Sequence, residues 1–284
     1  MNIAESLAAM PVTDTDLDRY AEVDADSTVA DAVRAMNAAG HPAACITSKG
    51  LLVGTFTQRD IMMRVIGRSR VWDHPVSDQM TRSLRTLTTE GSVADGLEIM
   101  SDWWVRNVPV LDGDDRLAGN VSYYVVMEII AKLIREHLDD PDVSPEIHHS
   151  LTLIDFTGLH TSPAVLVNQN DAVAVAAHHM RARAIGSVMV VDDHHHLVGI
   201  LTEFDLQTKI GCEHSDLTNI AVSDIMTPDP ISFKARAPIA GAIQQMANRG
   251  FSHLPLLGES GRPQAVASFR DIATYLETSF AALG

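Results

Sequence analysis

Apolar positions along this chain alternate between two rhythms. Val29, Val33 and Met36 fall three and four residues apart, the spacing of one buried helix face. Ser27 and Thr28 stand where an N-cap is wanted, and Gly40 where a left-handed C-cap would close the helix. Ala43-Ala44-Cys45-Ile46-Thr47 then reads as a buried strand, Ser48-Lys49-Gly50 as a turn, and Leu51-Leu52-Val53-Gly54-Thr55-Phe56 as the returning strand. A second helix is predicted from Thr57 to about Ile66, and a short extended segment, Ala21-Glu22-Val23, in front. The order is strand, helix, hairpin, helix.

The same order returns three times. Hairpins are predicted at Val108-Pro109-Val110-Leu111 with Leu117-Ala118-Gly119, at Val188-Met189-Val190-Val191 with Leu197-Val198-Gly199-Ile200, and at His253 to Leu257 with Gln264-Ala265-Val266. Each second strand ends on a related phrase: Gly54-Thr55-Phe56-Thr57-Gln58-Arg59-Asp60, Gly119 to Val125, Gly199 to Asp205, and Ala265 to Asp271. A helix methionine (Met36, Met100, Met180, Met246) precedes the motif hydroxyl by 21 residues in the first copy and 22 in the others. Val76-Ser77-Asp78-Gln79-Met80-Thr81 matches Val222-Ser223-Asp224-Ile225-Met226-Thr227, 146 residues later. The chain is thus a duplication of a duplication, and the repeat sets the fold. One copy cannot bury its own apolar sheet face, so adjacent copies are expected to pair. The predicted first module covers 1–138, with repeats at about 10–68 and 76–138. The polar, Pro-containing stretch 139–150, at the end of Glu136 to Ser150, is the expected linker. The second module covers 151–284, with repeats at about 151–212 and 222–282.

Composition narrows the functions. A net charge of −16 without a basic stripe repels a phosphate backbone, which argues against nucleic-acid binding. It leaves room for a single nucleotide in a local pocket. No stretch of about 18 apolar residues is present to span a bilayer, and Met1 to Met10 lacks the basic flank of a secretory signal. Cys45 and Cys212 stand far apart without a CxxC partner, which suits a reduced compartment and leads us to expect a cytoplasmic protein. Motifs for a P-loop, GxGxxG, GxSxG or HExxH are missing, so catalysis is not expected. Asp192-Asp193-His194-His195-His196 falls on a hairpin turn and lacks the separated spacing of a closed metal site; no metal is expected there. Of Trp103 and Trp104, one is expected in the core and one at a module or chain contact.

The strand-end motif carries the chemistry. Thr57-x-x-Asp60 is a capping-box-like helix start, and for a single copy that is sufficient explanation. The same geometry can serve a ligand. A helix N-terminus with a hydroxyl accepts phosphate, and an aspartate one turn on can accept hydrogen bonds from ribose hydroxyls. Thr57 with Asp60, Thr202 with Asp205, and Ser268 with Asp271 all keep both groups. Ser122 is followed by Val125, whose isopropyl group accepts nothing. Ala265 replaces the glycine of the fourth copy, a change expected to matter little. Arg59, Arg64, Arg68 and Arg70 could converge on a polyphosphate, or simply form a solvated face. Arg270, inside the fourth motif, is the better single candidate for phosphate.

On these motifs, together with the Val222 to Thr227 lead-in and the N-V-P-V and H-L-P-L strands, the chain resembles the CBS-domain (cystathionine beta-synthase domain) proteins over nearly its whole length. The resemblance implies an α+β fold: four βαββα repeats arranged as two pseudo-symmetric tandem pairs, or Bateman modules. It implies a regulatory protein that binds an adenosine ligand (AMP, ADP, ATP or S-adenosylmethionine), with or without Mg, and signals to a regulated protein partner. The implied nucleotide-binding residues are Gly54, Thr57, Arg59, Asp60, Ser122, Gly199, Thr202, Asp205, Ser268, Arg270 and Asp271. The alternative is an interaction scaffold without ligand control. The two modules could pack as a disc within one chain or pair with a second copy in a homodimer.

Overall fold

The computed structural model describes residues 3–139, 155–159, 161–211 and 216–282. The predicted order is present in all four repeats. Repeat 1 runs through strand Ala21–Asp24, helix Val29–Ala39, strands Ala43–Ser48 and Leu51–Thr57, and a helix opening at Gln58–Asp60. The helix Val29–Ala39 begins on a Thr28–Asp31 capping box and ends at Gly40 with φ 70°, as its sequence signals require. Repeat 2 contains Leu87–Thr88, Val93–Trp103, Asn107–Leu111, Leu117–Ser122 and Tyr123–Asp139. Repeat 3 contains Leu166–Asn168, Val173–Arg183, Ser187–Val191, Leu197–Thr202 and Glu203–Asp205. Repeat 4 contains Phe233–Lys234, Ile239–Arg249, His253–Leu257, Pro263–Ser268 and Phe269–Ala282. In every sheet the first strand lies parallel to the second, and the second antiparallel to the third.

The final helix of a repeat comes in two forms. In repeats 1 and 3 it is one α turn followed by a π turn, Ile61–Val65 and Leu206–Ile210, closed by Gly67 at φ 76° and Gly211 at φ 50°. In repeat 2 it continues for 17 residues to Asp139. Of the expected linker 139–150, Asp139 closes this helix, and 140–150 lies outside the described residues.

Two exchanges build the molecule from its repeats. Within a module, each lead-in segment crosses to its partner's sheet. Thr227–Pro228 pairs antiparallel with Leu197–Thr202, and Ser162–Pro163 with Pro263–Ser268. Single bridges Thr55–Thr81 and Asp18–Asn120 do the same in the first module. Between modules, repeats 1 and 3 share one apolar core and repeats 2 and 4 another. Helix Ile3–Ala9 adds Ile3 and Leu7 to the second core. Polar contacts reinforce the first pairing. Arg181 donates to the Met62 and Ile66 carbonyls. The Gln207 amide donates to Asn37 Oδ1 and the His41 carbonyl, each at 3.0 Å. The two modules thus pack against each other within one chain, and all four strand-end motifs face its centre.

Candidate functional site

Each motif is first a helix start. Thr57 Oγ1 and the Thr57 amide donate to Asp60 Oδ2 at 2.8 and 2.9 Å. Thr202 donates to Asp205 in the same way at 2.6 and 2.9 Å, and Ser268 to Asp271 at 2.7 Å for both groups. The capping reading of the motif is therefore correct as far as it goes. The second carboxylate oxygen distinguishes the copies. Asp60 Oδ1 accepts Thr81 Oγ1 at 2.9 Å and pairs with Arg64 at 3.0 Å. Asp205 Oδ1 accepts Thr227 Oγ1 at 3.1 Å and pairs with Lys209 at 2.8 Å. Thr81 and Thr227 close the two matching lead-ins, so each lead-in hands a hydroxyl to the preceding repeat's aspartate. The 146-residue spacing displayed these threonines, but nothing local to them said where they would reach. In repeat 2, Ser122 is fully buried and its hydroxyl faces the Val125 amide at 3.5 Å; Val125 itself is buried.

The motif glycines have a packing cause. A Cβ on Gly54 would lie 2.3 Å from Met80 Sδ, and one on Gly199 at 2.3 Å from Met226 Sδ. On Gly119 it would meet Leu17 Cβ at 2.5 Å. The residue just before the crossing lead-in contact fills the space in each case. In repeat 4 the register places Thr161 there, a small residue, and Ala265 is tolerated.

Three clefts open at the motifs. The largest, about 390 Å³, lies between repeats 3 and 4. Thr202, Asp205 and Thr227 form its polar side; Ile200, Pro230, Ile231 and Phe251 form its apolar walls; His253 and Glu203 close its inner end. The repeat 1 cleft, about 180 Å³, holds Thr57, Arg59, Asp60 and Thr81. The repeat 4 cleft, about 190 Å³, holds Ser268, Arg270 and Asp271. These two share Arg59, Trp104, Arg106 and Arg270.

The centre is charged and largely buried. The residue after each motif hydroxyl, Gln58, Tyr123, Glu203 or Phe269, is buried. Glu203 Oε1 lies 2.8 Å from Arg59 Nε, and Oε2 lies 3.7 Å from Arg106 Nη1. Burial pushes the Glu203 carboxyl up, and Arg106 and Arg59 pull it partly back. His253 Nε2 sits 3.2 Å from Arg106 Nη2. Burial, then Arg106, Arg59 and Arg270, hold its pKa well below the usual histidine range, so it is neutral at pH 7. Burial and mutual repulsion with Arg106 lower the Arg59 and Arg270 guanidinium pKa values. Three arginines thus face one buried carboxylate, a setting suited to an added anion.

Several expectations need revision. The four arginines of 59–70 do not converge: Arg59 reaches the centre, Arg64 pairs with Asp60, and Arg68 and Arg70 are exposed. Neither Trp103 nor Trp104 is in the core; they are 54% and 69% exposed. Arg106, Glu203 and His253 belong to the centre and carried no sequence signal.

With this geometry in hand, the chain can be set beside known proteins. The CBS-domain family model matches residues 9–67, 76–132, 156–211 and 222–278. CBS domain-containing protein CBSCBSPB3 of Arabidopsis thaliana is 26% identical over 275 residues, covering 84% of this chain and 47% of that protein. An uncharacterized 17.7 kDa protein of Acidianus ambivalens is 31% identical over 116 residues, 41% of this chain and 69% of that protein. Among solved structures, protein MJ1225 of Methanocaldococcus jannaschii, described as a candidate archaeal homologue of γ-AMPK, superposes with a TM-score of 0.77. It covers 94% of this chain and 100% of that one at 19% identity, which establishes a shared fold. The chain spans about half the length of the Arabidopsis relatives.

Proposed function

This chain belongs to the CBS-domain family, and we propose that it is a regulatory protein that binds an adenosine ligand in the cleft between repeats 3 and 4. One observation carries the reading: a single cleft joins the Thr202–Asp205–Thr227 polar group to an apolar slot walled by Pro230, Ile231 and Phe251. A ribose needs carboxylate acceptors, and a purine needs apolar faces. A volume of about 390 Å³ falls within the range of small-ligand sites. AMP, ADP, ATP and S-adenosylmethionine all carry these two parts; Mg would accompany the polyphosphates. Ribose hydroxyls would take Asp205 Oδ1 from Lys209 and Thr227.

Regulation follows from where the cleft lies. Its walls come mainly from repeats 3 and 4, with Gln58 of repeat 1 and Tyr124 of repeat 2 completing them, and its inner residue Glu203 is paired with Arg59 of repeat 1. A ligand that binds one packing of these repeats better than another shifts the population between them. A regulated protein would read that shift, without catalysis by this chain. A cytoplasmic setting is part of this proposal, supported by the free, buried Cys45.

The test is calorimetric titration of the wild-type chain and of Asp205→Ala with AMP, ATP and S-adenosylmethionine. Wild type should bind at least one of them saturably. Asp205→Ala should weaken the tightest site by about 10-fold or more, the loss typical of a charged hydrogen-bond acceptor. Unchanged binding in Asp205→Ala would refute the assignment of this cleft.

A further inference from the structure

Two tryptophans stand where folding alone does not put them. Trp103 is the last residue of the first helix of repeat 2, and Trp104 follows it in the left-handed region at φ 59°. Repeats 1 and 4 place Gly40 and Gly250 at that point, and repeat 3 places Ala184. A large L-residue there is strained. Both indoles also leave more than half of their surface to solvent, whereas Trp72 is buried. Burial therefore does little to offset the strain.

Each exposed indole lies under an arginine. The Arg85 guanidinium carbon is 3.4 Å from the Trp103 ring centroid, and that of Arg270 is 4.3 Å from the Trp104 ring, both within reach of cation–π attraction. Arg85 belongs, with Arg82, to the stretch between Thr81 and strand Leu87–Thr88, and both arginines are exposed. Trp103 and Arg85 stand outside the walls of all three clefts described above, so a cleft ligand does not account for them.

The charge of this surface is opposite to that of the chain. Among the described residues neither Arg85 nor Arg270 forms an ion pair; Asp271 and Glu203 act on Arg270 only at longer range. In a chain with 37 acidic residues against 21 basic ones, two guanidinium groups held on open aromatic faces without a paired carboxylate are a local reversal of sign. A carboxylate from outside would complete them. A second copy of the chain would bring its own charge of −16 and long-range repulsion, and a nucleic acid would bring a dense row of phosphates. A short acidic segment brings carboxylates with little of that penalty. Trp and Arg are also the residues on which interface energy concentrates.

We propose that Trp103 and Trp104, with Arg82, Arg85 and Arg270, form the docking surface for a short acidic segment of a protein partner, its carboxylates on the guanidinium groups and its apolar side chains on the indole faces. The acidic class follows from this surface alone; that the partner is the regulated protein rests on the reading above.

The probe is a fluorescein-labelled octapeptide of alternating glutamate and proline, followed by anisotropy against the full chain. Binding should saturate below millimolar protein and weaken as salt is raised. Trp103→Ala and Arg85→Glu should each weaken it by about 10-fold or more, the loss of a central interface contact. Arg85→Glu, on the exposed stretch, guards against a folding defect in Trp103→Ala. Trp104→Gly separates docking from folding: it relieves the left-handed strain, so its urea midpoint should match or exceed that of wild type while its peptide affinity falls. No saturable binding to wild type overturns the proposal, as does unchanged affinity in Trp103→Ala and Arg85→Glu. Equal binding of the same peptide with glutamine in place of glutamate overturns the acidic class. Tighter binding of an oligothymidylate, lost in the same variants, would make this a nucleic-acid surface, and a wild-type dimer in light scattering that Trp103→Ala dissociates would make a second copy the occupant; either result overturns the proposal. The adenosine titrations of the repeat 3 cleft do not enter these outcomes, so that assignment can fail while this one stands.

Discussion

Gly54→Ala tests whether the motif glycine serves packing or ligand. The new Cβ would meet Met80 Sδ at 2.3 Å, Met80 Cγ at 2.8 Å and the Thr81 carbonyl oxygen at 3.1 Å. Met80 is 7% exposed and packs in the core of repeats 1 and 3, so its sulfur has little room to retreat. Overpacking of this kind costs about 1–3 kcal/mol. Met80→Ala alone removes buried side-chain volume and costs about 2–5 kcal/mol. The double variant puts small residues at both positions, as repeat 4 does at the equivalent Ala265 and Thr161. It should therefore be more stable than the sum of the single effects by about 1–2 kcal/mol, within the range of directly contacting residues. Gly113→Ala, where a Cβ meets nothing within 4 Å, is the control and should stay within about 0.5 kcal/mol of wild type. Urea unfolding midpoints give all four values. Additivity of Gly54→Ala and Met80→Ala would refute the packing account and return the glycine to the ligand.

Other consequences follow from the centre and the module contact. His253 is held neutral by burial and by Arg106, Arg59 and Arg270, so its folded pKa lies below its unfolded one. Its stability contribution is complete above about pH 6.5 and is lost as pH falls below that, at up to about 1.4 kcal/mol per pH unit. Urea unfolding of His253→Gln should lack this slope; an identical slope in both proteins contradicts a neutral His253. Cys45 is buried, and its thiol is pushed up to about 12, first by burial and then by Glu22. In a Cys212→Ser chain a thiol reagent should label Cys45 only at the rate at which the protein opens; immediate labelling under native conditions contradicts this. Arg181→Ala removes donors to the Met62 and Ile66 carbonyls. It should destabilise the pairing of repeats 1 and 3 by about 1–3 kcal/mol, read by urea unfolding, and a neutral result would mean water replaces the guanidinium.

Much of the fold was legible because its signals repeat in register. Thr28, Gly40 and the Val29–Val33–Met36 face are local; the apolar face recurs in all four copies, the capping hydroxyl in repeats 1 and 2, and the closing glycine in repeats 1 and 4. The Thr/Ser-x-x-Asp pairs were legible for the same reason. What escaped depends on contacts that only assembly creates. Thr81 and Thr227 reach an aspartate more than 20 residues earlier by crossing to the partner sheet. Gln58, Tyr123, Glu203 and Phe269 share one sequence position with no common chemistry, yet all are buried where the four repeats meet. Trp104 reads as a core or contact residue until the left-handed helix end turns it outward between two clefts.

The most direct test of the account is a crystal structure of the chain grown with millimolar AMP. The account predicts AMP in the cleft between repeats 3 and 4, its ribose hydroxyls on Asp205 and its purine between Ile231 and Phe251. A well-ordered chain with that cleft empty, or with AMP bound away from Asp205, would contradict it.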